Sequence, residues 1–338
     1  MNIALNEPEP AGQVIIEVRG LRKWYPVSGR SKDPSRRGER RYLHAVDGVS
    51  FTLRRGEVLG LAGESGCGKS TTGMTVLQLH KPSGGEILFD GSDLAASPSA
   101  KSMKAFRRRA QIVFQNPYES LNPRFTVAQS VGEPISIHFR EPAEARRARV
   151  VRAMERAGLA PVEAYLDRYP HQLSGGQLQR IAIARAISVE PEFLVADEPV
   201  SMLDVSIRAG ILNLLKHFSR EMKMAILYIS HDLSTMRHIC NRVAIMYLGR
   251  IAEIGSTDQV LDHPQHPYAK ALMAAAPVMG GRRRQRIQLE GSVPNPIDPP
   301  SGCRFHTRCP MAFDRCRKEE PVLRAAAAGS EVACHLFD

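Results

Sequence analysis

The run Gly63-Glu64-Ser65-Gly66-Cys67-Gly68-Lys69-Ser70 constrains this chain more than any other stretch of it. It fits the phosphate-loop pattern, in which glycines let backbone N–H groups approach and surround phosphates. The flanks agree with that reading. Glu57 to Ala62 is a short apolar run that predicts a buried strand, and helical sequence starts near Lys69. A mere glycine turn would not require strand, loop and helix in that order. The pattern predicts that Lys69 pairs with the β and γ phosphates and that Ser70 supplies an oxygen to Mg²⁺. The helix beginning there adds the positive end of its dipole.

A second element lies further along the chain, where Phe193-Leu194-Val195-Ala196 is followed by Asp197-Glu198. An apolar strand ending in two carboxylates places them at the edge where α/β folds bind ligands. The expected roles differ: Asp197 is a Mg²⁺ partner, and Glu198 accepts a proton from attacking water. Between these elements, Leu173-Ser174-Gly175-Gly176-Gln177 opens the helical stretch Gln177 to Ile187. A serine hydroxyl and glycine amides at a helix N-terminus suit a γ-phosphate.

With this third motif the chain resembles the ABC transporter ATPase family, whose signature is complete here. Further family elements follow in order: Gln115 after an apolar strand, Ser201-Met202-Leu203-Asp204 after Glu198, and His231 after the strand Ala225 to Ile229. The resemblance implies that Gln115 touches Mg²⁺ and the attacking water, and that His231 contacts the γ-phosphate. Tyr25 would stack on adenine, and Gly63, Ser65, Gly66, Cys67, Gly68, Lys69, Ser70 and Thr71 would cradle ATP. Ser174, Gly175, Gly176 and Gln177 would hold ATP bound to the opposite chain, and Asp204 would lie at the dimer seam. Met202 departs from the alanine usual in the family.

The implied fold is α/β: a phosphate-loop, RecA-like ABC ATPase core with an antiparallel β region, an inserted helical subdomain and a C-terminal cysteine-rich extension. The expected boundaries are 1–115 with 190–262 for the core, 116–189 for the helical subdomain, and 263–338 for the extension. Within these, Val14 to Tyr25 and Leu43 to Leu53 predict the first two strands. Ser28 to Arg41, without apolar side chains between Gly29 and Arg41, predicts an exposed loop. Glu141 to Gly158 and Ile207 to Met222 carry helical periodicity, Arg242 to Ile254 predicts two strands, and a helix is expected near Tyr268 to Ala276. Arg282 to Arg286 reads as a basic linker.

His266-Pro267-Tyr268 and the run Pro299 to Pro310 closely resemble the oligopeptide and dipeptide branch of the family. That branch implies a second related ATPase chain as partner, two membrane chains and an extracytoplasmic substrate-binding protein, with peptide as cargo. Some members move nickel or glutathione instead. Cys303, Cys309, Cys316 and Cys334 are separated by five, six and seventeen residues, unlike the short paired gaps of most zinc fingers. Four thiolates suit zinc or a [4Fe–4S] cluster. Resemblance to peptide importers favours the cluster, with zinc and an unliganded or disulfide state as alternatives.

Net charge is +11, from 46 Lys and Arg against 35 Asp and Glu, which favours an anionic partner without choosing among nucleotide, nucleic acid and the inner membrane leaflet. A soluble ABC ATPase acting on nucleic acid or ribosomes is the competing class, but neither a second ATPase module nor a long coiled-coil insertion is legible. Met1 to Gly12 lacks an apolar stretch, and no run is long enough to span a bilayer. The expectation is a peripheral protein on the cytoplasmic face of the inner membrane.

Overall fold

A computed structural model of the chain describes residues 12–30, 40–94, 99–275, 291–326 and 329–338. In chain order these form β1 (Val14–Arg30), β2 (Arg40–Arg54), β3 (Val58–Ala62), α1 (Lys69–Val76), β4 (Gly84–Phe89), β5 (Ser92–Asp93), α2 (Ala100–Arg109) and β6 (Ala110–Val113). Next come α3 (Pro117–Ser120), α4 (Val127–His138), α5 (Ala143–Arg156), α6 (Gly175–Ile187), β7 (Phe193–Asp197), α7 (Val205–Glu221) and β8 (Ala225–Ile229). The chain continues through α8 (Leu233–Ile239), β9 (Arg242–Tyr247), β10 (Arg250–Ser256), α9 (Thr257–Asp262), α10 (Pro267–Ala275), α11 (Asp314–Lys318), β11 (Arg324–Ala325) and β12 (Glu331–Val332).

These elements divide into two compact units. One takes the described residues of Met1–Glu17, Thr52–Val58 and Leu88–Leu227; the other takes those of Val18–Phe51, Leu59–Ile87 and Tyr228–Asp338. We call them the carboxylate unit and the loop unit, after Asp197-Glu198 and the phosphate loop.

In the carboxylate unit, β6 and β7 run parallel, with Ala110 opposite Phe193 and Val113 opposite Ala196. Every residue of β7 is buried, as expected of a parallel strand covered on both faces. Ala225 at the start of β8 donates to the Glu192 carbonyl at 2.9 Å, placing β8 on the other side of β7. Between β6 and β7 the chain folds into α3 to α6. Thr126 and Gln129 close a reciprocal capping box at the start of α4, and α5 buries Val150, Ala153 and Met154 along one face. Both helices pack on α6, which buries Leu178, Ile181, Ile183 and Ile187. Burying each such aliphatic side chain contributes about 1.5–3 kcal/mol. Arg149, bonded to Glu141 at 2.9 Å and lying 4.4 Å from the Phe139 ring centroid, ties the middle of α5 to the connection that follows α4.

In the loop unit the buried strand β3 runs parallel to β9, with Leu59 opposite Arg242 and Ala62 opposite Ile245. The strand β9 turns into antiparallel β10 through Leu248 and Gly249, both at positive φ (42° and 81°), the two-residue turn whose twist suits a hairpin. The C-terminal strands extend this arrangement: β12 pairs with β10, and β11 with β12. In the same unit β2, β1 and β4 lie side by side in that order.

The strands predicted at Val14 and Leu43 are present but longer. Strand β1 continues through Arg30 and β2 begins at Arg40, so the predicted loop gives up both of its ends, and its middle lies outside the described residues. The basic linker Arg282 to Arg286 and the opening residues before Gly12 also lie outside them. The strands β4, β11 and β12 and the helices α2 and α9 had no counterpart in the sequence reading.

Candidate functional site

In the loop unit the phosphate loop joins β3 to α1, and its shape depends on two glycines. Gly68 is the N-cap of α1 at φ 105°, where a Cβ would stand 2.0 Å from the Ala45 carbonyl oxygen. Gly63, at φ 150°, would place a Cβ 2.2 Å from the Met246 carbonyl oxygen. No side chain fits either position. Lys69 is buried, and its Nζ donates to the Gly63 and Glu64 carbonyls at 2.9 and 3.0 Å. Its ammonium therefore lies inside the curl of the loop, where phosphate oxygens would replace those carbonyls. Cys67 is buried beside it, with Sγ 3.8 Å from the Lys69 Nζ, and burial pushes its thiol up.

Tyr25 is half-buried in this unit. Its hydroxyl bonds Thr71 on α1, and burial pushes its pKa up against that bond. Lys23 Nζ lies 4.7 Å from the ring centroid and His80 meets the ring edge-on. The tyrosine is thus fixed beside the helix that follows the loop. His231 is exposed, separated from β8 by the buried Ser230, and Asp232 caps α8 by accepting from Ser234.

The carboxylate unit holds the other predicted residues. Asp197 is buried at the end of β7, and Glu198 follows with its backbone at φ 45°. A left-handed glutamate costs about 1–3 kcal/mol and recurs where a side chain must be aimed. Gln115 donates from Nε2 to the Glu198 Oε2 at 3.1 Å, so the structure brings together two residues 83 apart in sequence. Ser201 reinforces the turn by donating to the Glu198 carbonyl at 3.0 Å. Ser174 caps α6: its hydroxyl accepts from Gln177, whose side chain accepts from the Ser174 N–H at 2.9 Å. Gly175 follows on α6, and Gly176 allows close approach of Ile207, whose Cγ2 would lie 2.8 Å from any Cβ there. Asp204 is exposed between Met202 (63% exposed) and Val205 (80% exposed).

Cys303, Cys309, Cys316 and Cys334 are free thiols that line one small cavity of the loop unit together with Phe305, Met311 and Leu336. Burial and the neighbouring Cys334, Cys316 and Cys309 push the Cys303 thiol up to about 11. Among the described residues, however, no group of three or more His, Cys, Asp or Glu is arranged to hold a metal ion.

Sequence reasoning missed the partners of Glu64. Arg308 reaches both oxygens of its carboxylate, and Tyr268 accepts its backbone N–H. Nothing in the local pattern signals contacts across more than 200 residues. The histidine and tyrosine of the His266-Pro267-Tyr268 run were singled out only by resemblance. In the structure both are buried in an aromatic cluster with Tyr247 and Phe305.

Known proteins resemble this chain along nearly its whole length. The family profile described as ABC transporter matches residues 46–201, and that described as oligopeptide/dipeptide transporter, C-terminal region, matches residues 252–316. The chain is 46% identical to the oligopeptide transport ATP-binding protein AppF of Bacillus subtilis, covering 96% of this chain and 98% of that relative. It is 45% identical to the dipeptide transport ATP-binding protein DppF of Haemophilus influenzae, over 96% and 97%. Among solved structures, a dimeric ATP-binding cassette bound to ADP and Pi in a post-hydrolysis state superposes with a TM-score of 0.63 at 27% identity. That match covers 72% of this chain and 99% of the other. No helix among the described residues is long and apolar enough to cross a membrane.

Proposed function

Because this chain belongs to the ABC transporter family, in its oligopeptide and dipeptide branch, and is an ATPase subunit of a peptide transporter, we propose how its residues divide the work. The observation that carries the proposal is Glu198: a carboxylate aimed from a left-handed backbone at the end of β7 and held by Gln115. Glu198 accepts the proton of the attacking water, and Gln115 orients that water and contacts Mg²⁺. Phosphoryl transfer needs little covalent help from a protein, so positioning and charge dominate. Lys69 and the loop amides bind the β and γ phosphates. Ser70 and Asp197 supply hard oxygens that suit Mg²⁺, and His231 contacts the γ-phosphate. Tyr25 stacks on adenine.

Each ATP also needs a second chain. Ser174 to Gln177 meet the γ-phosphate bound by a related but distinct ATPase partner. The exposed apolar pair Met202 and Val205 around Asp204 supports a seam there. Two membrane chains dock near Gln115. Supporting this are the exposed Tyr118 and a groove lined by Phe125, Gln129, Ile137 and Arg146. A separate binding protein delivers the cargo. The complex lies at the cytoplasmic face of the inner membrane, with residues 116–189 as the coupling subdomain and 263–338 as the branch-specific extension.

For the four cysteines we infer a [4Fe–4S] cluster, with zinc the alternative. The soft donor set suits either, and the gathering of all four thiols around one cavity supports a shared centre. Held by Cys303, Cys309, Cys316 and Cys334, either centre would cross-link the extension. Iron, zinc and sulfide assays on anaerobically purified protein test this; colourless, zinc-loaded protein overturns the cluster.

The central experiment is the ATPase rate of the assembled complex with its binding protein, offered di- and oligopeptides, nickel and glutathione. Peptides should stimulate wild type, while Glu198→Gln should bind ATP yet lose about 10²–10⁴-fold in turnover. Stimulation by nickel or glutathione alone would replace the cargo. An unaffected Glu198→Gln would remove the assigned base.

A further inference from the structure

Glu64, the second residue of the phosphate loop, is held at three points within the loop unit. Its N–H donates to the Tyr268 hydroxyl at 3.0 Å, its carbonyl accepts from Lys69 at 3.0 Å, and its carboxylate takes Arg308 Nη1 and Nη2 at 2.9 and 3.3 Å. The Arg308 side chain is only 8% exposed and lies against the Tyr247 ring. A two-pronged guanidinium–carboxylate pair in such surroundings fixes orientation as well as distance.

Arg308 belongs to the segment between Cys303 and Cys309, and the same segment reaches the loop a second time. Arg304, also buried, bonds the Asp47 carboxylate and donates to the Leu248 carbonyl at 2.5 Å. The adjoining Gly249 donates its N–H to the Cys67 carbonyl at 2.9 Å, and Asp47 donates its own N–H to the Gly249 carbonyl at 2.9 Å. One short segment therefore grips the loop at Glu64 directly and at Cys67 through the β9–β10 turn.

Two physical consequences follow. The loop binds phosphates through backbone N–H groups, so affinity depends on its shape being set before the ligand arrives. A glutamate beside a polyanion is also repulsive unless a cation neutralises it. We propose that Arg308, supported by Arg304, is a positioning residue for the phosphate loop: it holds Glu64 in place and cancels its charge, so that ATP affinity is set in part from the cysteine-bearing extension. This rests on the ATPase reading above.

The test is titration of the full-length chain with Mg-ATP at fixed ionic strength, by calorimetry. Arg308→Met should weaken Kd about tenfold or more, the scale of a lost charge-assisted bond. Arg308→Lys keeps the charge without the fork and should recover part of that loss. Adding Glu64→Gln to Arg308→Met should recover most of it, because the uncancelled carboxylate is gone; a purely structural role for Arg308 would not respond this way. Wild-type affinity in Arg308→Met, or no recovery in the double variant, overturns the proposal. Should Arg308→Met fail to fold by circular dichroism, Arg308→Lys decides: a weakened Kd supports the proposal and an unchanged one overturns it. Failure of wild type itself to bind Mg-ATP would instead remove the ATPase reading.

Discussion

The backbone gives several of the candidate residues unusual positions. Glu198 occupies left-handed φ, and its hydrogen bond to Gln115 aims the carboxylate. Replacing Gln115 by alanine frees that carboxylate and removes one proposed contact to Mg²⁺, so turnover should fall at least tenfold and by more than Mg-ATP Kd weakens; a parallel titration and rate measurement separates the two. Gly68 is a sharper case. At φ 105° and with the Ala45 carbonyl 2.0 Å from any Cβ, Gly68→Ala combines about 1–3 kcal/mol of backbone strain with a clash. Loss of ATP binding together with a lower Tm is expected, and calorimetry of the purified variant reads both.

At the scale of elements, a charge network joins strand ends and loops of the carboxylate unit. Arg109, at the end of α2, bonds Asp90 at 2.7 Å and Glu192 at 2.9 Å, and Arg55 also pairs with Glu192. Hydrogen bonds from Arg109, then from Arg55, outweigh burial and hold the Glu192 carboxyl down at about 2. Its folded value lies below the ordinary 4.5, so the stabilisation is fully present above about pH 4.5 and is lost as pH falls toward about 2. The sites are nearly a third exposed, so solvent screening keeps the effect modest. Glu192→Gln should be less stable than wild type at pH 7, and the gap in urea midpoint should close on acidification through that window. A gap independent of pH would mean that the network does not contribute through charge.

For the whole chain, the extension is part of the loop unit and not a detachable tail. Strand β12 hydrogen-bonds to β10, and Tyr268 and Phe305 pack on Tyr247. Ending the chain at His263 would strip these contacts and the Arg304 and Arg308 bonds together. Such a truncation should show a lower Tm and weaker Mg-ATP binding than Glu198→Gln, which leaves the extension intact. Equal nucleotide affinity in the truncated protein would make the extension an accessory to the ATPase.

Much of this was legible in one dimension because the relevant physics is local. A phosphate loop needs its glycines and lysine at fixed spacing. A buried parallel strand must be apolar throughout, as Phe193 to Ala196 is, and a helix N-terminus announces itself by Ser174 and Gln177. The phosphate loop and the Asp197-Glu198 strand end were therefore readable from local pattern, whereas Tyr25, Gln115, Asp204 and His231 became candidates only through the family resemblance that the order of motifs carries. The strands β4, β11 and β12 were not legible: β11 and β12 are two residues each, and β4 carries two glycines, so none shows a period. Nor was the Arg308 to Glu64 clamp, since an arginine in a loop rich in cysteine and histidine has the same local appearance whether it faces water or a carboxylate. Charge pairing between residues 244 apart depends on which surfaces the hydrophobic core brings together, and only the tertiary structure decides that.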